Sequence, residues 1–244
     1  MLAADSGFEM NYSKEEGIMI RGEKIREIND GFLFSGVGDY ALIEGVYKLL
    51  KKKLTKSKGI EDIKEEILDE FSETKYKHVV RMKRSKGRDP EEEDESIENS
   101  IFASVILASY DEKRGGEAVV ISDDSILDTY SDSTNKITRL AIGAGDTIAN
   151  AYLSRHLEML SLEGGGFLAY KTIKDTMNVS AQKLMEPITI WVMDKSGIRS
   201  FDEEKMAKLE SIYVLSQSDE KELFGKYIGM LNGKEPKEKS KNKI

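Results

Sequence analysis

The chain has 244 residues, 39% apolar and 34% charged, a balance that reads as globular and not disordered. Its net charge of −8 argues against nucleic acid as the main partner, because phosphate binding needs a basic surface. It contains no cysteine, which excludes disulfides, thiolate zinc sites and cysteine nucleophiles. No stretch approaches the ~20 apolar residues of a membrane helix, and Met1-Leu2-Ala3-Ala4-Asp5-Ser6 does not read as a signal peptide. The expectation is a cytoplasmic protein with no membrane partner.

Residues 1–37 read as short strands. Met1–Ala4 is a small apolar piece; Gly17–Ile20, Lys24–Ile28 and Phe32–Val37 are compact runs separated by Gly22 and Asn29-Asp30-Gly31. The period then changes. Leu42, Ile43, Val46, Leu49, Leu50 and Leu54 follow helical spacing, with Asp39 as N-cap, and Gly59 ends that helix. Ile60, Ile63, Ile67, Leu68 and Phe71 predict a second amphipathic helix over 60–72.

In residues 81–98 a basic run (Arg81, Lys83, Arg84, Lys86, Arg88) meets an acidic one from Asp89 to Glu98, which predicts a solvated loop. Strands resume at Ile101–Ser109 and Glu117–Ile121 around Gly115-Gly116, then at Ile126–Tyr130 and Ile137–Ile142. Residues 144–160 predict a helix with Ile148, Tyr152 and Leu160 on its apolar face. Gly164-Gly165-Gly166 is expected to end it before a helix over 167–178. Pro187 opens the apolar strand Ile188–Met193, where Trp191 is expected in the core, and a turn at 194–197 leads to Ile198–Phe201. Two charged helices near 202–214 and 219–231 follow. The domain is expected to span 1–233, with a flexible lysine-rich tail at 234–244. Hairpins and helix pairs without βαβ alternation favour antiparallel sheets covered by helices, an α+β class.

Motifs outside that frame are weak. His78 and His156 have no metal-type spacing. No serine sits in a G-x-S-x-G elbow, and no Walker loop is present.

Several strings, in this order, resemble proteasome subunits of the N-terminal nucleophile hydrolase superfamily. Leu2-Ala3-Ala4-Asp5-Ser6 is similar to the family's "LAAD" string, and Gly22–Asp30 to its "K-I-x-x-I-D" strand. Phe34–Asp39 resembles its "ISG-x-x-x-D" helix entry, Ile142-Gly143-Ala144-Gly145 its "G-S-G" turn, and Ile188–Gly197 its late strand and turn. The resemblance implies a four-layer αββα sandwich, two antiparallel sheets between helix layers. It implies a threonine-type peptidase acting on peptide or protein substrates, without cofactor or metal, assembled as a homo-oligomer or with similar subunits.

In active members a threonine is the first mature residue, and its α-amine serves as base, a role open to an amine of pKa about 8 but not to an amide. A lysine lowers the nucleophile's proton affinity and a carboxylate orients it. Lys24 matches that lysine, Asp5 that carboxylate, and Asp175 a later aspartate. The residues after Asp175, up to Ser180, depart from the family's "D-x-x-S-G", and its helper serine is Ala144 here. Met1 and Leu2 stand directly at "LAAD", and neither is a nucleophile. A start at an internal methionine, a truncation and an inactive paralogue are all open, and the first is favoured. As written, the chain is expected to be inactive. The alternative is a non-catalytic assembly subunit, and a weaker third reading is a hydrolase of a small amide.

Overall fold

The computed structural model describes residues 1–5, 7–11, 17–21, 23–29, 31–54, 60, 62–89, 95–98, 100–113, 115–122, 125–131, 141–143, 145–155, 161–179 and 184–231. Ala144, His156, Ser180, most of the expected strand 137–142 and the lysine-rich tail lie outside them.

Among the described residues, ten strands make three antiparallel groups. A five-stranded sheet runs β4 (Ile25–Ile28), β5 (Phe32–Gly38), β6 (Ala103–Asp111), β7 (Gly115–Ser122) and β8 (Ile126–Ser131) in that order. A three-stranded sheet has β1 (Leu2–Ala4) at its edge, β9 (Thr189–Asp194) in the centre and β10 (Gly197–Ser200) beyond. The hairpin of β2 (Gly7–Asn11) and β3 (Gly17–Arg21) stands apart as a two-stranded ribbon. Register is tight: Ala3 faces Ile190, and Phe34 faces both Arg26 and Leu107.

Helices cover both outer faces. α1 (Tyr40–Lys53) and α2 (Lys64–Ser85) pack on the five-stranded sheet, while α5 (Leu162–Val179) packs on β1 and β9. β6 and β7 meet β9, so the two sheets face each other, and the order of layers is α, β, β, α. This is the α+β sandwich expected from the sequence. The closed core lies between the first helix pair and its sheet. There Phe34, Val46, Leu50, Ile67, Phe71, Val105 and Val119 are all fully buried.

Local chemistry explains the elements. Asp39 caps α1 by accepting from the amides of Ala41 and Leu42, and Lys51, Lys52 and Lys53 answer the dipole at the other end. The Asn29 amide, on a backbone with φ of 50°, donates to the last carbonyls of α1 at Lys51 (3.1 Å) and Leu54 (2.7 Å). Gly38 has φ of 107°, and a Cβ there would lie 2.2 Å from the Phe102 carbonyl oxygen, so only glycine fits this passage into α1.

Several sequence expectations are corrected. The second helix does not stop near residue 72, because the buried positions Ile67, Phe71, Val79 and Lys83 continue one stripe along α2 to Ser85. The basic run of 81–98 is therefore partly helical. Lys83 is buried, paired with Glu98 at 3.0 Å, and the one-turn α3 (Glu95–Glu98) seats the buried Ile97. The three glycines at 164–166 lie inside α5, since a Cβ on Gly166 would come within 2.7 Å of the Phe201 ring and glycine permits the close approach. α4 (Asp146–Leu153) is shorter than expected, and it buries Ala149 while Ile148 is exposed. Trp191 is only half-buried, because Ile190 and Val192 take the inward positions of β9.

From Asp202 on, the described residues, 202–231, belong to a second compact unit. In it, the two expected helices are one continuous helix, α6 (Glu203–Leu231), since the intervening segment carries neither glycine nor proline to stop propagation.

Candidate functional site

The Lys24 ammonium lies 2.7 Å from Asp5 Oδ1, with the two side chains only 14% and 8% exposed. Asp5 directly follows β1, and Lys24 sits just ahead of β4, so the pair ties the edge of one sheet to the edge of the other. The second Asp5 oxygen, Oδ2, accepts from the Met185 amide at 3.0 Å, across 180 residues of sequence. A carboxylate held by an ammonium and a backbone amide is fixed in direction as well as charge.

The pair borders a cavity of about 530 Å³. All of Met1–Asp5 lines it on one side. Ser35 and Val37 of β5 and Ile106 of β6 form a second wall, and Leu168, Thr172, Ile173 and Thr176 of α5 a third. The turn at Gly143 and Gly145 and the head of α4 close one end. The cavity's threonine hydroxyls are engaged by their own helix: Thr172 donates to the Leu168 carbonyl and Thr176 to the Thr172 carbonyl, both at 2.7 Å. Neither therefore stands ready as a nucleophile.

Of the three residues singled out from sequence, the structure joins two. Asp175 lies on α5, where it pairs with Lys171 one turn earlier at 2.9 Å, and it does not line the cavity. Gly143 and Gly145 do line it. His78 stands 3.9 Å from Asp39 Oδ2, outside the cavity. Among the described residues no group of three metal-type ligands converges, and no helix is long and apolar enough to cross a membrane. Sequence reading missed Met185 as a partner of Asp5: the contact is made by a backbone amide, and no side-chain pattern announces it.

No protein-family model and no curated protein sequence matches the chain. Solved structures do. Anbu (ancestral beta-subunit) from Yersinia bercovieri superposes with a TM-score of 0.61 at 12% identity, covering 91% of each chain. An Anbu (Gly-1) mutant from Hyphomicrobium sp. strain MC1 gives 0.60 at 13% identity, over 92% of this chain and 91% of that one. The resemblance to proteasome subunits read from short strings is corrected accordingly. Without a matching family model, and at such low identity, those strings do not establish membership. What the comparison supports is the fold: this chain is built on the sandwich that Anbu (ancestral beta-subunit) also has.

Proposed function

We propose that the chain is an N-terminal nucleophile hydrolase-type subunit of the threonine-peptidase kind, and that the 244 residues as given do not turn over peptides. One observation carries the reading: a nearly buried Lys24–Asp5 pair, braced by the Met185 amide, beside a cavity headed by Met1. A lysine so placed can lower the proton affinity of a hydroxyl near it, and Asp5 holds its ammonium in place. Neither Met1 nor Leu2 supplies that hydroxyl, and Thr172 and Thr176 bond to their own helix.

The test is incubation of the purified chain, Met1 in place, with a panel of fluorogenic peptides. The expected result is no turnover above a blank. Robust cleavage that disappears in Ser35→Ala or Ser161→Ala would overturn the reading, because the chemistry would then belong to an internal serine.

A second reading, a non-catalytic cytoplasmic subunit that self-assembles, is favoured by the exposure of Tyr40 on α1 and Tyr76 on α2, at 64% and 69%. Light scattering separates the two readings: a strict monomer at micromolar concentration removes the second and leaves the first standing.

A further inference from the structure

We infer that Asn150 is a positioning residue for the cavity beside the Lys24–Asp5 pair: its side chain holds the turn at Ala141–Gly143 and Gly145 in the cavity wall. The inference rests on the reading of that cavity as the working site.

The grip is bidentate. Asn150 lies on the second turn of α4. Its Oδ1 accepts from the Ala141 amide at 2.7 Å, and its Nδ2 donates to the Ala141 carbonyl at 2.9 Å. One side chain thus serves both main-chain groups of a residue nine positions earlier, as the opposite residue does in a hydrogen-bonded antiparallel pair. Asparagine presents a donor and an acceptor side by side, whereas an ionised carboxylate only accepts and alanine does neither.

The bonds close a loop in the chain. Between its ends lie Gly143, with φ of 104°, Gly145, with φ of 84°, and the start of α4. The Asp146 amide donates back to the Gly143 carbonyl at 3.0 Å, and the Ala149 amide to the Gly145 carbonyl at 2.9 Å. Turn and helix are therefore fixed to each other, and Asn150, next after Ala149, ties both to Ala141.

The held segment is the wall itself. Ala141, Ile142, Gly143, Gly145 and Asp146 all line the cavity. The turn has no slack toward the five-stranded sheet, because a Cβ on Gly143 would lie 2.8 Å from Val37 Cγ1. Val37 is on β5, where Ser35, two residues earlier, faces Ile25, the neighbour of Lys24. The place at which Asn150 sets the turn thus fixes the width of the cavity between turn and β5. It also governs how far solvent reaches the Lys24 side chain, now only 14% exposed.

The test uses the full chain with Asn150→Ala and Asn150→Asp. One readout is the backbone amide resonances of Gly143 and Gly145. The other is the rate at which an amine-reactive reagent labels Lys24 at neutral pH, followed by mass spectrometry, with the buried Lys83 as internal control. In Asn150→Ala both glycine resonances should move, and Lys24 should be labelled roughly tenfold faster relative to Lys83, since two hydrogen bonds are lost. Asn150→Asp carries the specific signature. At neutral pH its carboxylate faces the Ala141 carbonyl with a lone pair and should behave as alanine does. Below about pH 4 the protonated carboxyl donates again, and the glycine resonances should return toward those of the unaltered chain. Asp146, one turn earlier, titrates in the same range, so Asn150→Ala at each pH is the control.

Unmoved glycine resonances in Asn150→Ala would overturn the inference. Equal acceleration of Lys24 and Lys83 would also overturn it, because the role would then be general stability. So would an Asn150→Asp variant whose resonances follow the alanine control at every pH. Should neither variant fold, the unaltered chain decides: the Asn150 side-chain amide protons should exchange roughly tenfold more slowly than those of a free amide, and unprotected protons would refute the grip. Peptide turnover by an internal serine would sink the proposed function and leave all of these readouts as they stand.

Discussion

Removing the cation from the Lys24–Asp5 pair should cost far more than removing both charges together. Breaking a fully buried ion pair from one side costs about 3–5 kcal/mol, because the remaining charge is left desolvated. Here the Lys24 side chain keeps 14% exposure, and Asp5 keeps the Met185 amide at 3.0 Å. Lys24→Ala should therefore destabilise by about 2–3 kcal/mol, or about 4–12 °C in Tm for a chain of this size. Lys24→Met with Asp5→Asn retains the aliphatic stem and an acceptor for the Met185 amide, and should cost about 1 kcal/mol. The assay is urea denaturation followed by fluorescence of Trp191, the chain's one tryptophan, which sits on the strand paired with β1. With both single variants measured, the cycle should give a coupling of roughly 2 kcal/mol. A double variant costing as much as the sum of the singles would refute the reasoning, and so would Lys24→Ala costing less than about 0.5 kcal/mol.

Two further predictions rest on other parts of the fold. Gly38→Ala should lose at least about 3 kcal/mol, because the new Cβ meets the Phe102 carbonyl oxygen at 2.2 Å and the Asp39 amide bonds that same oxygen at 2.7 Å, so neither can give way; a variant with unchanged Tm would contradict this. Asp194 should titrate well below the ordinary carboxylate range, held there first by the Arg199 guanidinium and then by Ser196. Its small contribution to stability is present above the unfolded value of about 3.9 and is lost as pH falls through the depressed folded value. Side-chain carbon NMR reads this directly, and Arg199→Gln should return the titration toward the ordinary range; an ordinary value in the unaltered chain would count against the geometry.

The sequence was most legible where one residue's chemistry acts on its own neighbours. Asp39 as N-cap, the apolar stripe of α1 and the antiparallel strand runs of the five-stranded sheet could be read because capping and periodicity are local. The Lys24–Asp5 contact was reached only through a family resemblance, since a lysine and an aspartate 19 positions apart carry no distance information of their own. Composition misled at 81–85, where charge density suggested a loop. The Val79–Lys83 step keeps the buried stripe of α2, and Glu98 supplies the counter-charge that lets Lys83 be buried. The glycine triplet misled for a related reason. Glycine's low helix propensity predicted a break, whereas in α5 the missing side chain is what lets Phe201 come close. Asp175 marks the limit of string matching, because its neighbours in sequence face the cavity while its own carboxylate turns to Lys171.

The two halves of the sandwich are unequally filled, and this should be visible in hydrogen exchange. On one side of the five-stranded sheet, α1 and α2 close over a core in which Phe34, Leu50, Phe71, Val105 and Val119 have no exposure at all. On the other side, β1 and α5 border a cavity of about 530 Å³, and Leu2, Ala3 and Ala4 are each partly open. Local opening is easiest where fewest apolar contacts are lost, so the layer of β1 and α5 should open before the layer of α1 and α2. Amides of Leu107 and Val119 should exchange roughly tenfold or more slowly than those of Leu168 and Ile173, although both groups lie in regular hydrogen-bonded structure. Equal protection of both layers in the chain alone would mean that the cavity carries no cost in local stability, and the argument from unequal packing would fail.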